Sequence, residues 1–294
     1  MRAIYPEEKR LLVEDALHRF FPSEDNYPQV IYKAMRHSLF SGGKRFRPVL
    51  TLLSAETFEC APEGVLPTAC AIEYIHTYSL IHDDLPAIDN DDLRRGQPTC
   101  HVLFGEDIAI LAGDALFAEA FYLVSAKQQT DDPLKIIRVI GELASASGAR
   151  GMVGGQVMDV LSSGRRVDFA TLNFIHTHKT GELIKAAARV GAILAGASEE
   201  ELAIITEYAH HLGLAFQITD DILDVVGETV LLGKKIGSDR EQLKPTFPAA
   251  FGLERSRELA REETDKAKEA LTRLRDKDTR ALANLAEFVR ERES

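Results

Sequence analysis

Along most of the chain the apolar residues recur at spacings of three and four, the period of an α-helix buried along one face. The pattern is plainest in "EELAIITEYAHHLGLAFQITDDILDVV" (200–226) and "DIAILAGDALFAEAFYLVSA" (107–126). The second is apolar nearly all round, which predicts a helix covered on several sides. "LIKAAARVGAILAGA" (183–197), rich in Ala and Gly, predicts a central helix that neighbours approach closely.

Punctuation supports the same reading. Pro6 followed by Glu7 and Glu8 marks a helix start, and Pro22 and Pro28 bracket the next break. Gly42-Gly43 would close a helix that begins near Pro28, and Pro48 suits the first turn of another. No six-residue alternation outcompetes the helical period. From about Leu253 the pattern is a charged amphipathic helix pair, most simply a solvated outer layer. Loops are expected at 42–47, 85–99 and 227–246. The last contains "GKKIGSDREQLKP", either a lid or a plain connection between outer helices. No Pro/Ser-rich linker divides the chain, so the expectation is one all-α domain over residues 1–294.

Composition narrows the setting. Of 294 residues 45% are hydrophobic, enough for a sizeable core and an ordered globular protein. No uninterrupted run of 18 apolar residues occurs, and the start "MRAIYPEEKRLLVEDAL" lacks a signal-peptide core, so neither a membrane span nor export is expected. Cys60, Cys70 and Cys100 form no C-x-x-C pair and suit a reducing cytoplasm. A net charge of −11 argues against nucleic acid or an anionic membrane as partner. It leaves small anionic substrates open, because metal ions and local basic clusters reverse the field inside a cleft.

Two acidic groups stand out. "QITDDILDVV" sets Asp220, Asp221 and Asp224 inside an apolar helical run, with Asp220 and Asp224 on one face. Two such charges about 4 Å apart repel by roughly 4 kcal/mol at an effective dielectric near 20. A divalent cation would relieve that repulsion, and Mg²⁺ is the hard ion that carboxylates share with phosphates. The alternative is solvation at a helix edge. "LIHDDLPAIDNDDLRRGQ" (80–97) carries five aspartates from Asp83 to Asp92, then two arginines. Asp83, Asp84 and Asp89 do not align on a straight helix, but Pro86 permits a bulge that would return Asp89 to the face of Asp83. Asp91 and Asp92 fit less well. Arg94 and Arg95 offer planar donors to phosphate oxygens. Surface ion pairs would explain one such cluster; two in separate helical segments favour metal binding.

With these residues the chain resembles the trans-isoprenyl diphosphate synthases. "IHDDLPAIDNDDLRRG" is similar to that family's first aspartate motif, in the form with two extra residues, and "FQITDDILD" to its second. In order along the chain come "GGKRFRP" (42–48), "EYIHTYSLIHDD" (73–84), "GGQVMD" (154–159), "HKTGELI" (178–184) and "LGKKIGSD…KPTFP" (232–248). The likeness is greatest to bacterial short-chain members of the farnesyl diphosphate synthase type.

The resemblance implies the all-α isoprenoid synthase fold, a helical bundle around a central cavity with the two motifs facing across it. It also implies Mg²⁺-dependent condensation of an allylic diphosphate with isopentenyl diphosphate, Mn²⁺ being a possible substitute, and a homodimer. By the same resemblance, Asp83, Asp84, Asp89, Asp220, Asp221 and Asp224 hold several Mg²⁺ ions, outer members orienting water or neighbours. Arg94, Lys179, Lys234 and Lys244 match donors to the allylic diphosphate, and Lys235 is the neighbour of Lys234, of which one faces phosphate. Thr180 and Gln217 match positions whose oxygens face the allylic cation. Lys44, Arg47, His76 and Arg95 match the metal-free pocket for isopentenyl diphosphate. Alone, Lys44 and Arg47 would pass for loop charges and His76 for a core histidine. The released diphosphate is the family's proton acceptor. Gln156 and Asp159 match a supporting pattern, while His82, His101, His176 and His178 have no defensible metal-ligand pairing.

Tyr78, five residues before Asp83, lies about one and a half helical turns deeper. In relatives an aromatic residue there is a floor that stops growth at fifteen carbons, and the neighbouring Ser79 is small. Otherwise Tyr78 is ordinary core packing. The rival readings are a geranylgeranyl diphosphate synthase, a class I terpene cyclase and a non-catalytic synthase subunit. A cyclase needs no second basic pocket, and such a subunit usually lacks part of one aspartate motif; here "GGKRFRP" and both motifs are complete.

Overall fold

The spacing of threes and fours becomes helix almost throughout the computed structural model, which describes residues 5–165, 167–226 and 246–292. Helices α1 (Glu7–Phe20), α2 (Gln29–Leu39) and α3 (Phe46–Thr57) open the chain. The first starts directly after Pro6, with Glu7 and Glu8 in its first turn, where acidic groups meet the positive end of the helix dipole. The second ends at Leu39, three residues before the expected Gly42-Gly43 stop. Pro48 occupies the first turn of α3, where its missing N–H removes no helical bond.

Helices α4 (Leu66–Asp83), α5 (Cys100–Phe104), α6 (Glu106–Tyr122), α7 (Pro133–Ser147) and α8 (Met152–Ser162) follow. Next come α9 (Phe169–Ile175), α10 (Glu182–Ala195) and α11 (Glu199–Val226), then α12 (Phe247–Phe251), α13 (Leu253–Leu271) and α14 (Arg280–Glu291). A hairpin absent from the sequence expectation interrupts the helices: β1 (Leu93–Arg94) pairs antiparallel with β2 (Gln97–Pro98), Arg94 opposite Gln97. Two residues per strand are too few for any alternating pattern to register.

The centre is built from α3, α4, α10 and α11. Nearly every side chain of α3 is buried, and α10 lies against it so closely that Thr51 and Ser54 hydroxyls donate to the Ala187 and Ala188 carbonyls at 2.9 and 2.6 Å. This is the close approach expected for the Ala/Gly-rich segment.

The C-terminal pair is more than a solvated layer. Its outer face is charged, with Arg255 bridging Glu258 and Glu262. Its inner face buries Ala260, Ala267, Leu271, Leu282, Leu285 and Val289. Each of the larger apolar side chains contributes about 1.5–3 kcal/mol when covered. Tyr208 of α11 donates to the Leu282 carbonyl at 2.8 Å, and Glu263 meets His211 at 2.6 Å, so the pair braces α11 along its length.

Helix α6 is less enclosed than its composition suggested. With its π-helical continuation to Lys127 it is long and apolar enough, by length and composition, to cross a membrane. It packs against α4 and α2, while Ile110, Leu111 and Tyr122 stay exposed.

Candidate active site

The first acidic group is shaped by how α4 stops. Asp83 is its last helical residue. Pro86 then prevents continuation. Instead of bulging within a continuing helix, as the sequence suggested, the chain folds back on the helix end. The Asp89 N–H donates to the Asp83 carbonyl at 2.9 Å and the Asp91 N–H to the Asp84 carbonyl at 3.2 Å. The turn brings the Asp89 backbone against that of Asp83, and of the two side chains only Asp83 lines the central cavity.

The hairpin then separates the two arginines. Arg95 and Gly96, at its tip, have φ of +53° and +76°, the left-handed pair of a turn whose twist suits short hairpins. Arg94 turns inward, its Nε 2.9 Å from each Asp84 carboxylate oxygen and its Nη2 3.8 Å from Asp91. Burial opposes the Arg94 charge, but Asp84, Asp83 and Asp91 outweigh it and raise its pKa. Arg95 turns the other way and donates to the Gly42 carbonyl. Gly43 lies directly beneath the Arg95 guanidinium with φ of +128°, a backbone conformation that favours glycine.

Opposite stands a helix with an inserted wide turn. Between α9 and α10, His176–Gly181 is π-helical, a local irregularity that rephases the side chains and recurs at functional sites. Lys179 and Thr180 face the cavity on this turn, whereas His176 is buried behind it. The turn approaches α8 because residue 155 is glycine; a Cβ there would lie 2.2 Å from the Lys179 backbone nitrogen. That closeness seats the Lys179 ammonium 2.6 Å from Asp159 of α8. Burial works against the Lys179 charge, but Asp83, Asp159 and Asp89 together raise its pKa.

The second acidic group lies on α11. Asp220 faces the cavity at its rim, half exposed. Arg292, just beyond α14, reaches it: the guanidinium stacks 3.9 Å from the Phe216 ring centroid and donates to the Phe216 carbonyl at 2.9 Å and to Asp220 at 3.0 Å. Asp221 is buried, accepting from the Gln217 amide and from the Phe247 backbone N–H, both at 2.9 Å. The Thr180 hydroxyl donates to the Gln217 amide oxygen at 2.8 Å.

Between these walls lies a cavity of about 640 Å³. It brings together Arg47, His76, Tyr78, Ser79, Asp83, Arg94, Arg95, Lys179, Thr180, Gln217 and Asp220, all singled out from the sequence. Its apolar wall comes from α8, through Met152, Val153, Val157, Val160 and Leu161. Tyr78 also lines it, with its ring centroid 4.9 Å from Phe117 and 5.4 Å from His82.

At the basic end Arg47 is buried, and its Nε has no hydrogen-bond partner among the described residues. Burial lowers its pKa to about 10, so it remains cationic at neutral pH. His76 is held well below the usual histidine range by withdrawal from water and by the positive field of Arg47, Arg95, Arg94 and Arg45.

Other expected residues lie off the cavity surface. Lys44 sits beside it, its ammonium 5.6 Å from the Phe288 ring centroid. Asp84 and Asp221 are buried on protein donors. Asp89 and Asp224 are partly exposed near their motifs and are not among the lining residues. Lys234 and Lys244 lie outside the described residues. Arg292 carried no sequence signal, since nothing local marks a residue after the last helix as the neighbour of Asp220.

Among the described residues no three His, Cys, Asp or Glu side chains converge into a ready-made metal cage. Asp83 and Asp220 instead present hard oxygens to one cavity that also holds phosphate-type cations. That donor set fits Mg²⁺, which takes one or two carboxylates and completes its shell with water and substrate phosphate.

Comparison with known proteins agrees with this geometry. A family model described as polyprenyl synthetase matches residues 28–288. The chain is 46% identical over 286 residues to a geranylgeranyl diphosphate synthase of Cyanophora paradoxa, covering 97% of this chain and 94% of that protein. It is 45% identical over 295 residues to the farnesyl diphosphate synthase of Escherichia coli (strain K12), covering 98% and 99%. A crystal structure of an FPP/GFPP synthase from Zymomonas mobilis, in its apo form, superposes with a TM-score of 0.84 at 35% identity, covering 95% of both chains. With its isoprenoid synthase fold, the chain belongs to the polyprenyl synthetase family of trans-prenyltransferases.

Proposed function

We propose that this trans-prenyl diphosphate synthase condenses isopentenyl diphosphate with dimethylallyl and then geranyl diphosphate, stopping at (2E,6E)-farnesyl diphosphate. The observation that carries the stopping point is Tyr78. It lines the cavity together with Asp83, and Phe117 backs its ring at 4.9 Å. A chain growing inward from the acidic rim meets that ring.

The allylic diphosphate lies at the end where Asp83 and Asp220 would hold Mg²⁺, with Asp89 and Asp224 beside them. Magnesium, when bound there, would supply neutralisation of the charge left on the departing diphosphate. Lys179, aimed by Asp159, and Arg94, held by Asp84, add fixed cations at the same end. Thr180 and Gln217 turn oxygens toward the carbon that becomes cationic, a preorganised electrostatic stabilisation.

Isopentenyl diphosphate must keep its diphosphate, so it is held without metal by Arg47, Arg95, His76 and the adjacent Lys44. The Arg47 Nε, without a hydrogen-bond partner among the described residues, is a donor suited to such an anion. His76, neutral, donates without adding charge. The proton leaving the adduct passes to the released diphosphate.

The test is incubation of the purified protein with dimethylallyl diphosphate, isopentenyl diphosphate and Mg²⁺, followed by gas chromatography of the dephosphorylated products. Mainly farnesol is expected. Mainly geranylgeraniol would keep the chemistry and move the stopping point, and a cyclic hydrocarbon would replace the condensation by cyclisation.

The chain is further proposed to act as one domain and as a homodimer. The exposed Ile110, Leu111 and Tyr122 of α6 supply an apolar face for a second copy. Light scattering should then give about twice the chain mass of 32.5 kDa; a monomer at assay concentration would reject the dimer.

A further inference from the structure

We infer that Asp221 acts as a positioning residue: it decides which end of the Gln217 amide faces the cavity. The inference rests on the proposed reaction. A glutamine amide is nearly symmetrical in shape, with an acceptor oxygen and a donor NH₂ that exchange places on a half-turn. Its neighbours choose between the two orientations. Asp221, one helical turn along α11, accepts at both carboxylate oxygens, one of them from Gln217 Nε2 at 2.9 Å and the other from the Phe247 N–H. The NH₂ is thereby turned inward, and the oxygen meets the Thr180 hydroxyl at 2.8 Å.

The Thr180 proton is committed to that bond, which leaves the lone pairs of its own oxygen free of an attached hydrogen. Thr180 and Gln217 both line the cavity, where their oxygens keep the lone pairs that these bonds leave unused. The other Asp221 oxygen accepts from the Phe247 N–H at 2.9 Å and lies 3.4 Å from His176 Nε2, so the carboxylate cannot rotate. His176 is in turn stacked on Phe247 with ring centroids 5.2 Å apart. Asp221 is only 2% exposed, whereas its neighbour Asp220 faces the cavity. Adjacent aspartates of one motif therefore have different tasks.

Asp221→Asn is close to isosteric and offers one acceptor and one NH₂. It cannot accept from both Gln217 and Phe247. The experiment compares kcat and KM of the wild type, Asp221→Asn, Gln217→Leu and the double variant. It also measures Mn²⁺ binding by electron paramagnetic resonance in the presence of inorganic pyrophosphate, with Asp220→Asn as reference. Asp221→Asn is expected to lower kcat about 10- to 100-fold, with KM for both diphosphates within about threefold. Its Mn²⁺ affinity should stay within about twofold of wild type, while Asp220→Asn weakens it about tenfold or more. Because Asp221 acts through Gln217, the double variant should fall no more than about threefold below Gln217→Leu alone.

Losses that multiply, an unchanged kcat, or a Mn²⁺ defect matching that of Asp220→Asn would each overturn the assignment. If Asp221→Asn does not fold, the pair Gln217→Glu with Asp221→Asn restores one donor and one acceptor between the two positions. It should exceed Gln217→Glu alone in kcat, and equal or lower activity refutes the inference. A wild type that elongates nothing would instead sink the proposed reaction, and the Mn²⁺ comparison would still decide whether Asp221 holds metal.

Discussion

Asp84 takes both of its carboxylate oxygens to Arg94, each 2.9 Å from Nε, across the turn that ends α4. The first aspartate motif is therefore divided: Asp83 faces the cavity and Asp84 faces the hairpin. Removing Asp84 strands a guanidinium that is itself largely buried. Asp84→Ala should cost about 1–3 kcal/mol of stability, measured by urea unfolding, because the guanidinium loses its bidentate partner and keeps only the more distant Asp91 and Asp83. Asp83→Ala should instead fold normally and lose turnover by orders of magnitude. Near-normal rates for purified Asp83→Ala would exclude it from the metal end.

Tyr78 sets the length prediction. Tyr78→Ala should shift the product toward geranylgeranyl diphosphate, read by gas chromatography after dephosphorylation. Phe117 and Phe121 stand behind it with ring centroids 5.2 Å apart, so extension by about one isoprene unit is expected before a second barrier is met. An unchanged product distribution would place the floor elsewhere.

Gly155 permits the approach of α8 to the π-helical turn. Gly155→Ala places a Cβ 2.2 Å from the Lys179 backbone nitrogen, a contact only backbone movement relieves. The expected destabilisation is about 1–3 kcal/mol, together with a fall in kcat because Lys179 and Thr180 shift together. Full activity in this variant would show that the turn tolerates displacement.

Acidification should weaken the fold through buried histidines. Burial lowers the His176 pKa to about 4 from the usual histidine value of about 6.5. Between those values the unfolded chain binds a proton that the folded chain refuses, so stability rises with pH across this window and is lost as pH falls through it. His176 alone accounts for about 3 kcal/mol between neutral pH and pH 4. His76, also lowered, acts in the same direction. Unfolding free energies at pH 7 and pH 4.5 for wild type and His176→Gln test this: the variant should show a smaller loss, and an identical loss would remove His176 as its source.

What the sequence by itself determined was local. Helix periods, the Pro6 and Pro28 starts, and the close-packing run 183–197 depend on neighbours within a few turns, so they could be read directly. The two aspartate motifs were legible for the same reason, since clustered like charges in apolar helices demand a counter-charge. Tertiary packing decided what each aspartate does. Arg292 lies 72 residues from Asp220 and reaches it only because α13 and α14 fold back along α11. Phe247 lies 26 residues from Asp221 and fixes it only because α12 returns to α11. Identical side chains at adjacent positions carry no local mark of which will be buried. That difference is created when distant backbone donors arrive on one side of the helix and leave the other side open to the cavity.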